Sequence, residues 1–211
     1  MRLRLSFAYI RLNISPDMTI GEQVAIHNSS IVDDSVTFGV EVTIGRFCII
    51  EDNVVLGDNV SVGDYCLIES GARIGSGTTI GTYCKIGSSA EIGTDCSFTA
   101  YCEIRSKSTV GDRVSMGSRC TLSAGTVVEN DVIIKYGFVA TDTPDLHHND
   151  SKVTCVLKAH SLYGANVTIM PGITVGRGSE IGASSQVRHS VPDGEVWYGT
   201  PAKFYKRADT R

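Results

Sequence analysis

Three groups of residues have types and spacings that could do chemistry. Cys48, Cys66, Cys84, Cys102 and Cys120 recur every 18 positions, and the first four each follow an aromatic: Phe47, Tyr65, Tyr83 and Tyr101. Thiolates bind soft metals and exchange disulfides. The stretch "VATDTPDLHHNDSKVTC", residues 139 to 155, gathers Asp142, Asp145, His147, His148 and Asp150. Carboxylates and imidazoles there suit proton transfer. Arg188, Lys203 and Lys206 lie close to the C-terminal end and carry charge suited to phosphates.

The elements that position these groups follow from a six-residue period. Steps of six from Ile14 to Ala140 visit 22 positions, of which 21 are large and apolar, and a glycine often comes next. The pattern fails at Ala140 and resumes in a new phase at Leu157, Tyr163, Ile169, Val175, Ile181 and Val187. A period of six fits neither an amphipathic helix nor a two-sided strand. It fits a solenoid in which each hexapeptide forms a short strand and a corner, and three hexapeptides form one coil. The aliphatic points inward, and so does the residue two before it, because strand side chains alternate. Glycine is expected to serve the sharp corners. About seven coils precede the break and two follow it. They make a triangular prism roughly 40 Å tall at the ordinary interstrand spacing.

This frame assigns the cysteines. Eighteen residues are one coil, so the five thiols form a column on one inner face, preceded by Ser30 and followed by Phe138. Cys96 takes the equivalent place on another face, and Cys155 reads as off the lattice. A column runs along a line, whereas a tetrahedral metal site needs convergence. The thiols are therefore read as small core residues. No metal is expected. The aromatics one position earlier should point outward as a stacked stripe.

Composition narrows the classes. With 211 residues and a net charge of −4, the chain fills one substantial domain and carries no basic footprint for nucleic acid or anionic membrane. No apolar run reaches the roughly 18 residues of a membrane span. "MRLRLSFAYIRLN" lacks the unbroken apolar stretch of a signal peptide, so a cytoplasmic location with reduced thiols is expected. Residues 1–13 read as a leading strand or loose segment, 14–140 as the main coils and 141–155 as an inserted loop. Residues 156–191 are the final coils, and 192–211 the tail, of a domain ending near 207.

The hexads, together with "YGANVTIMPGITVGRGSEIGASSQVRHSVPDGEVWYGTPAKFYKR" from Tyr163 to Arg207, resemble the hexapeptide-repeat acyltransferases. The resemblance covers residues 14 to about 206. It implies an all-β fold, a single-stranded left-handed parallel β-helix. It also implies a homotrimer with active sites between prisms, and acetyl-CoA as co-substrate. Gly164, Ala165, Gly182 and Ala183 match positions where the pantetheine arm approaches. Arg188, Lys203 and Lys206 match positions that hold the coenzyme's phosphates. "TCVLKAHSLYGANVTI" is most similar to the nucleotide-sugar N-acetyltransferase branch, which implies an amino-sugar or nucleotide-sugar acceptor.

That branch often has Phe-Thr-Asn at the loop entrance, where this chain has Ala140-Thr141-Asp142. Asp142 is thus the first candidate to orient the acceptor, His147 and His148 come second, and His160 third. The His-Pro of the sugar O-acetyltransferases is Thr143-Pro144 here, yet "DLHHND" resembles that branch, so O-acetylation stays open. A γ-type carbonic anhydrase needs three converging histidines, and the main repeat has only His27. A non-catalytic scaffold binding through the aromatic stripe is the remaining alternative.

Overall fold

The computed structural model describes residues 23–145, 147 and 152–208. The expectations for residues 1–13, for the hexad positions Ile14 and Ile20, and for His148 lie outside the described residues. Twenty-eight strands, β1 (Ala25–Ile26) to β28 (Ala202–Arg207) in chain order, make up the described chain. The first 26 are two residues long and belong in turn to three sheets of 11, 9 and 8 strands, parallel except for β28 at the end of the first. Before and after the loop, strands pair in register with those 18 residues on, as Ile80 does with Phe98, and across the loop the offset is longer, as Val127 pairs with Val156. The result is a left-handed parallel β-helix of about nine turns.

Burial follows the hexad. Cys48, Ile50, Val54, Leu56, Val60 and Val62 are buried, and the residues between them are half-buried or exposed. The hydrophobic surface removed from water is continuous along the prism axis, so each coil is stable only through its neighbours. Ladder hydrogen bonds repeat with the coil: Ile49 N–H donates to Cys66 O at 2.9 Å and Leu67 N–H to Cys84 O at 3.0 Å.

The thiol column is core. Cys48, Cys66, Cys84, Cys102 and Cys120 are all buried and unpaired by disulfides. Each Sγ points at a carbonyl of the next coil, such as Cys66 to Gly81 O at 3.0 Å and Cys84 to Thr99 O at 2.9 Å. Ser30 heads the column and does the same, donating to Gly45 O at 2.8 Å. The position selects a small side chain with one weak donor.

The structure corrects two expectations. Cys155 is on the lattice: it is fully buried two residues before the inward Leu157, as the other cysteines stand to their aliphatics. The insertion shifted the phase, and the register of β21 (Val156–Leu157) with β18 (Val127–Val128) restores it. The glycine after each aliphatic is also not there for its dihedral freedom. A Cβ on Gly63 would lie 2.9 Å from Gly81 C and from Thr82 N, so what that position requires is space for the next coil. The left-handed residue comes two positions later, and side chains fill it. Phe47, Tyr65, Tyr83 and Tyr101 have φ of 55°, 58°, 57° and 61°. Left-handed backbone costs roughly 1–2 kcal/mol per non-glycine residue. The expected outward stack offsets part of this, with ring centroids 5.1, 4.8 and 4.9 Å apart. Arg119 continues the column over the Tyr101 ring.

Cys66→Ala should cost about 1–2 kcal/mol in denaturant unfolding, the loss of one small buried group. A thiol reagent should label the native protein no faster than it unfolds. Rapid labelling of the folded chain would show that the column is accessible.

Candidate functional site

The loop leaves the prism between β20 (Val139–Ala140) and β21, at the corner joining the second and third sheets. Its neck is closed by its own ends. The Asp142 carbonyl accepts a hydrogen bond from Val153 N–H at 2.9 Å, and Thr141 donates through Oγ1 to Ile169 O at 2.9 Å. Below it, Cys155 Sγ lies 3.3 Å from both Thr141 O and Met170 O. Burial pushes the Cys155 thiol above its ordinary value, with the nearby Asp142 adding to the shift, which makes it a poor nucleophile.

Asp142 is the one buried carboxylate of this loop among the described residues, 7% exposed. Oδ1 accepts from Thr143 Oγ1 at 3.0 Å. Among the described residues Oδ2 has no bond of regular hydrogen-bond geometry, and its one ionic neighbour is Lys152 Nζ at 3.3 Å. Ser123 Oγ is also buried without a hydrogen bond. It belongs to the same corner one coil earlier, directly before Thr141 in register. Ser123 Oγ is thus left without a partner among the described residues, while Asp142 Oδ2 relies on its ion pair. Sequence reasoning missed Lys152, because a lone cation in a polar run carries no periodic signal.

His147 is exposed in the loop, its N–H donating to Asp145 Oδ1 at 2.9 Å. His160 is not brought to this neck. It lies at the opposite edge of the third sheet with φ 61°, its Nδ1 3.8 Å from Asp131 Oδ2. Arg113 donates through Nε and Nη2 to Asp131 at 2.7 and 2.9 Å, and these bonds hold the Asp131 carboxyl below the usual carboxylate range. His27, His147 and His160 occupy three different corners, so they do not converge.

The residues matched to coenzyme positions divide between places. Arg188 follows β26 (Gln186–Val187) at the loop's corner, two coils above Thr141 in register, and its Nε donates to Gln186 Oε1 at 2.8 Å. Gly164, Ala165, Gly182 and Ala183 lie at the other edge of the second sheet, in line with the aromatic stack. A Cβ on Gly164 would meet Ala183 N at 2.5 Å, and one on Gly182 would meet Tyr198 Cβ at 2.7 Å. Coil stacking alone therefore accounts for both glycines. Lys203 and Lys206 are exposed on β28, which folds back antiparallel on β27 (Glu195–Gly199) at the end of the first sheet.

The fold and its hexads define a class, the hexapeptide β-helix. The family profile described as bacterial transferase hexapeptide (six repeats) matches residues 41–76 and 71–106, and that of the hexapeptide repeat of succinyl-transferase matches 108–141 and 159–185. Together they cover more than half of the chain, which belongs to the hexapeptide-repeat family. A 2,3,4,5-tetrahydropyridine-2,6-dicarboxylate N-acetyltransferase of Clostridium perfringens is 43% identical over 61 residues, 29% of this chain and 26% of that protein. The match thus spans about a quarter of that relative's length. Among solved structures, a UDP-N-acetylglucosamine acyltransferase from Bacteroides fragilis superposes with a TM-score of 0.75 at 20% identity, covering 86% of this chain and 74% of that one. One from Campylobacter jejuni gives 0.63 at 18%, covering 92% and 72%. Both are likenesses of fold.

The Asp131 ion pair has a signed pH dependence. A carboxyl whose folded value is lowered contributes stability that is present above its unfolded value, about 3.9, and is lost as pH falls through the lowered one. The difference in thermal midpoint between the natural protein and Asp131→Asn should therefore hold from pH 7 to about pH 4 and shrink below it. A difference independent of pH would assign the effect to packing.

Proposed function

We propose that the protein is an acyl-CoA-dependent acyltransferase that acetylates the amine of an amino sugar or nucleotide-linked amino sugar. The observation that carries this reading is the buried Asp142 carboxylate at the loop neck, whose Oδ2 is paired with the Lys152 ammonium and, among the described residues, with no other donor. Family membership supports acyl transfer, and the N-acetyltransferase name of the Clostridium perfringens relative supports an amine acceptor.

In this reading Asp142 receives the acceptor's ammonium, orients it and takes a proton as the amine attacks the thioester carbonyl. A carboxylate nine-tenths buried binds a cation more strongly than one in water, because the local dielectric is low. His147, exposed in the same loop, helps move protons, the role the resemblance also implies for His148. Arg188, Lys203 and Lys206 hold the phosphates of coenzyme A, with Gly164, Ala165, Gly182 and Ala183 as the shelf for its pantetheine arm. The small residues and Arg188 flank opposite edges of one sheet, and Lys203 and Lys206 lie on the hairpin. A trimer would bring such separated edges of neighbouring prisms together across a cleft. The reaction needs no metal, and its substrates place it in the cytoplasm.

Mass detection of acetyl transfer from acetyl-CoA to a panel of acceptors tests the assignment. The panel holds amino nucleotide sugars, free amino sugars and neutral galactosides. One acetyl group gained by an amino sugar is expected. Gain by the neutral sugars alone would make the protein an O-acetyltransferase, and coenzyme A binding with no product would place the acceptor outside the panel. Absence of both would favour a scaffold that docks partners through its aromatic stack. Asp142→Ala should lower turnover at least about tenfold, and unchanged kinetics would remove Asp142 from the site.

Lys203→Ala combined with Lys206→Ala should weaken coenzyme A binding by about tenfold or more in calorimetry without changing the thermal midpoint, since charge-assisted bonds to phosphate are worth about 1.5–3 kcal/mol each. An unaltered affinity would place the coenzyme elsewhere.

A further inference from the structure

Lys152 Nζ stands 3.3 Å from Asp142 Oδ2, the oxygen that has no other donor among the described residues. The Lys152 side chain is 43% exposed, so its ammonium spans from solvent to a carboxylate that is nine-tenths buried. The pair is held at the loop's own neck, where Val153 N–H bonds the Asp142 carbonyl and fixes the two residues side by side. A primary ammonium against the acceptor-orienting carboxylate has the chemistry of the acceptor itself.

We infer that Lys152 occupies the acceptor's place in the resting enzyme and is a site of self-acylation by the acyl-CoA thioester. This rests on the reading of Asp142 as the acceptor-orienting group. The ammonium gives one proton to solvent, and neutral Nζ attacks the thioester carbonyl. A C–N bond forms and the C–S bond breaks. The second proton passes from nitrogen to Asp142 and on to the departing thiolate. The products are an N-acyl-lysine, the free thiol of coenzyme A and one proton. The amide has no charge, so the buried Asp142 carboxylate loses its ionic partner and keeps only the neutral amide N–H as a donor, a costly exchange. Acylation thus removes the ion pair, while the bond from Val153 N–H to the Asp142 carbonyl still closes the neck. The same geometry makes the ammonium a competitor that every amine acceptor displaces, and so a brake when acceptor is scarce.

The test incubates the full-length protein with acetyl-CoA in the absence and presence of an acceptor amine, followed by intact mass and peptide mapping. The expected result is a single acetyl group on Lys152, suppressed when the acceptor is turned over. It should be absent in Lys152→Arg and slowed at least about tenfold in Asp142→Asn. Circular dichroism of both variants checks that they fold. Acetylation of the acceptor, with Lys152 left unlabelled even when no acceptor is present, would overturn this inference and leave the proposed function standing. Labelling spread over many lysines, at the same rate in Asp142→Asn, would show uncatalysed chemistry and also overturn it. Transfer to neither acceptor nor Lys152 would remove both.

Discussion

Everything in this protein depends on parallel coils stacking in register at one interstrand spacing. The ladder from each coil to the next commits every third hexapeptide to the same face, as Ser61, Thr79 and Ser97 show along the first sheet. That commitment fixes which residue type is acceptable at every position. An inward aliphatic and an inward small residue fill the prism. A glycine lets the next coil's backbone approach. A left-handed residue turns the corner. Periodicity here is a packing rule, because each position meets its own counterpart one coil away.

The same rule turns chemistry-bearing side chains into structural ones. Five thiols in line would suggest reactivity in another fold. Here each donates weakly to a carbonyl of the following coil, and Ser30 does so equally well at the head of the column. Four aromatic residues tolerate a backbone conformation that suits glycine, because each ring lies on the ring of the next coil at about the strand spacing. Tyr163 replaces an aliphatic inside the prism and meets its polar requirement by accepting from Ser161 Oγ at 3.0 Å.

Function is confined to places where the rule is relaxed. The loop between β20 and β21 interrupts a coil at a corner, and the ladder resumes beyond it without loss of register. An interruption costs little in a solenoid, because the entropy of closing a loop grows only slowly with its length. The flanking coils supply a rigid base. On that base the neck can hold a carboxylate out of water against a single cation, a state that a mobile surface loop would not maintain.

Much of this was legible before any coordinates. The six-residue period named the solenoid, the 18-residue recurrence put Cys48 through Cys120 in a buried column, and the failure at Ala140 located the loop. Those features repeat, and each repetition is an independent reading of the same physical constraint. The phase of Cys155 was legible too, since it stands two before Leu157 where the hexads resume, and it was misread only by carrying the old phase across the loop. The separation of Arg188 from Gly164 and Gly182 follows from the period itself, since Arg188 comes one hexapeptide after Gly182 and so falls at the next corner. The pairing of Lys152 with Asp142 was not legible, because it exists only where the two ends of the loop return to one point. Sequence alone determined the lattice, because the lattice is local and periodic. Tertiary structure decided the site, because the site is a single event where distant residues meet once.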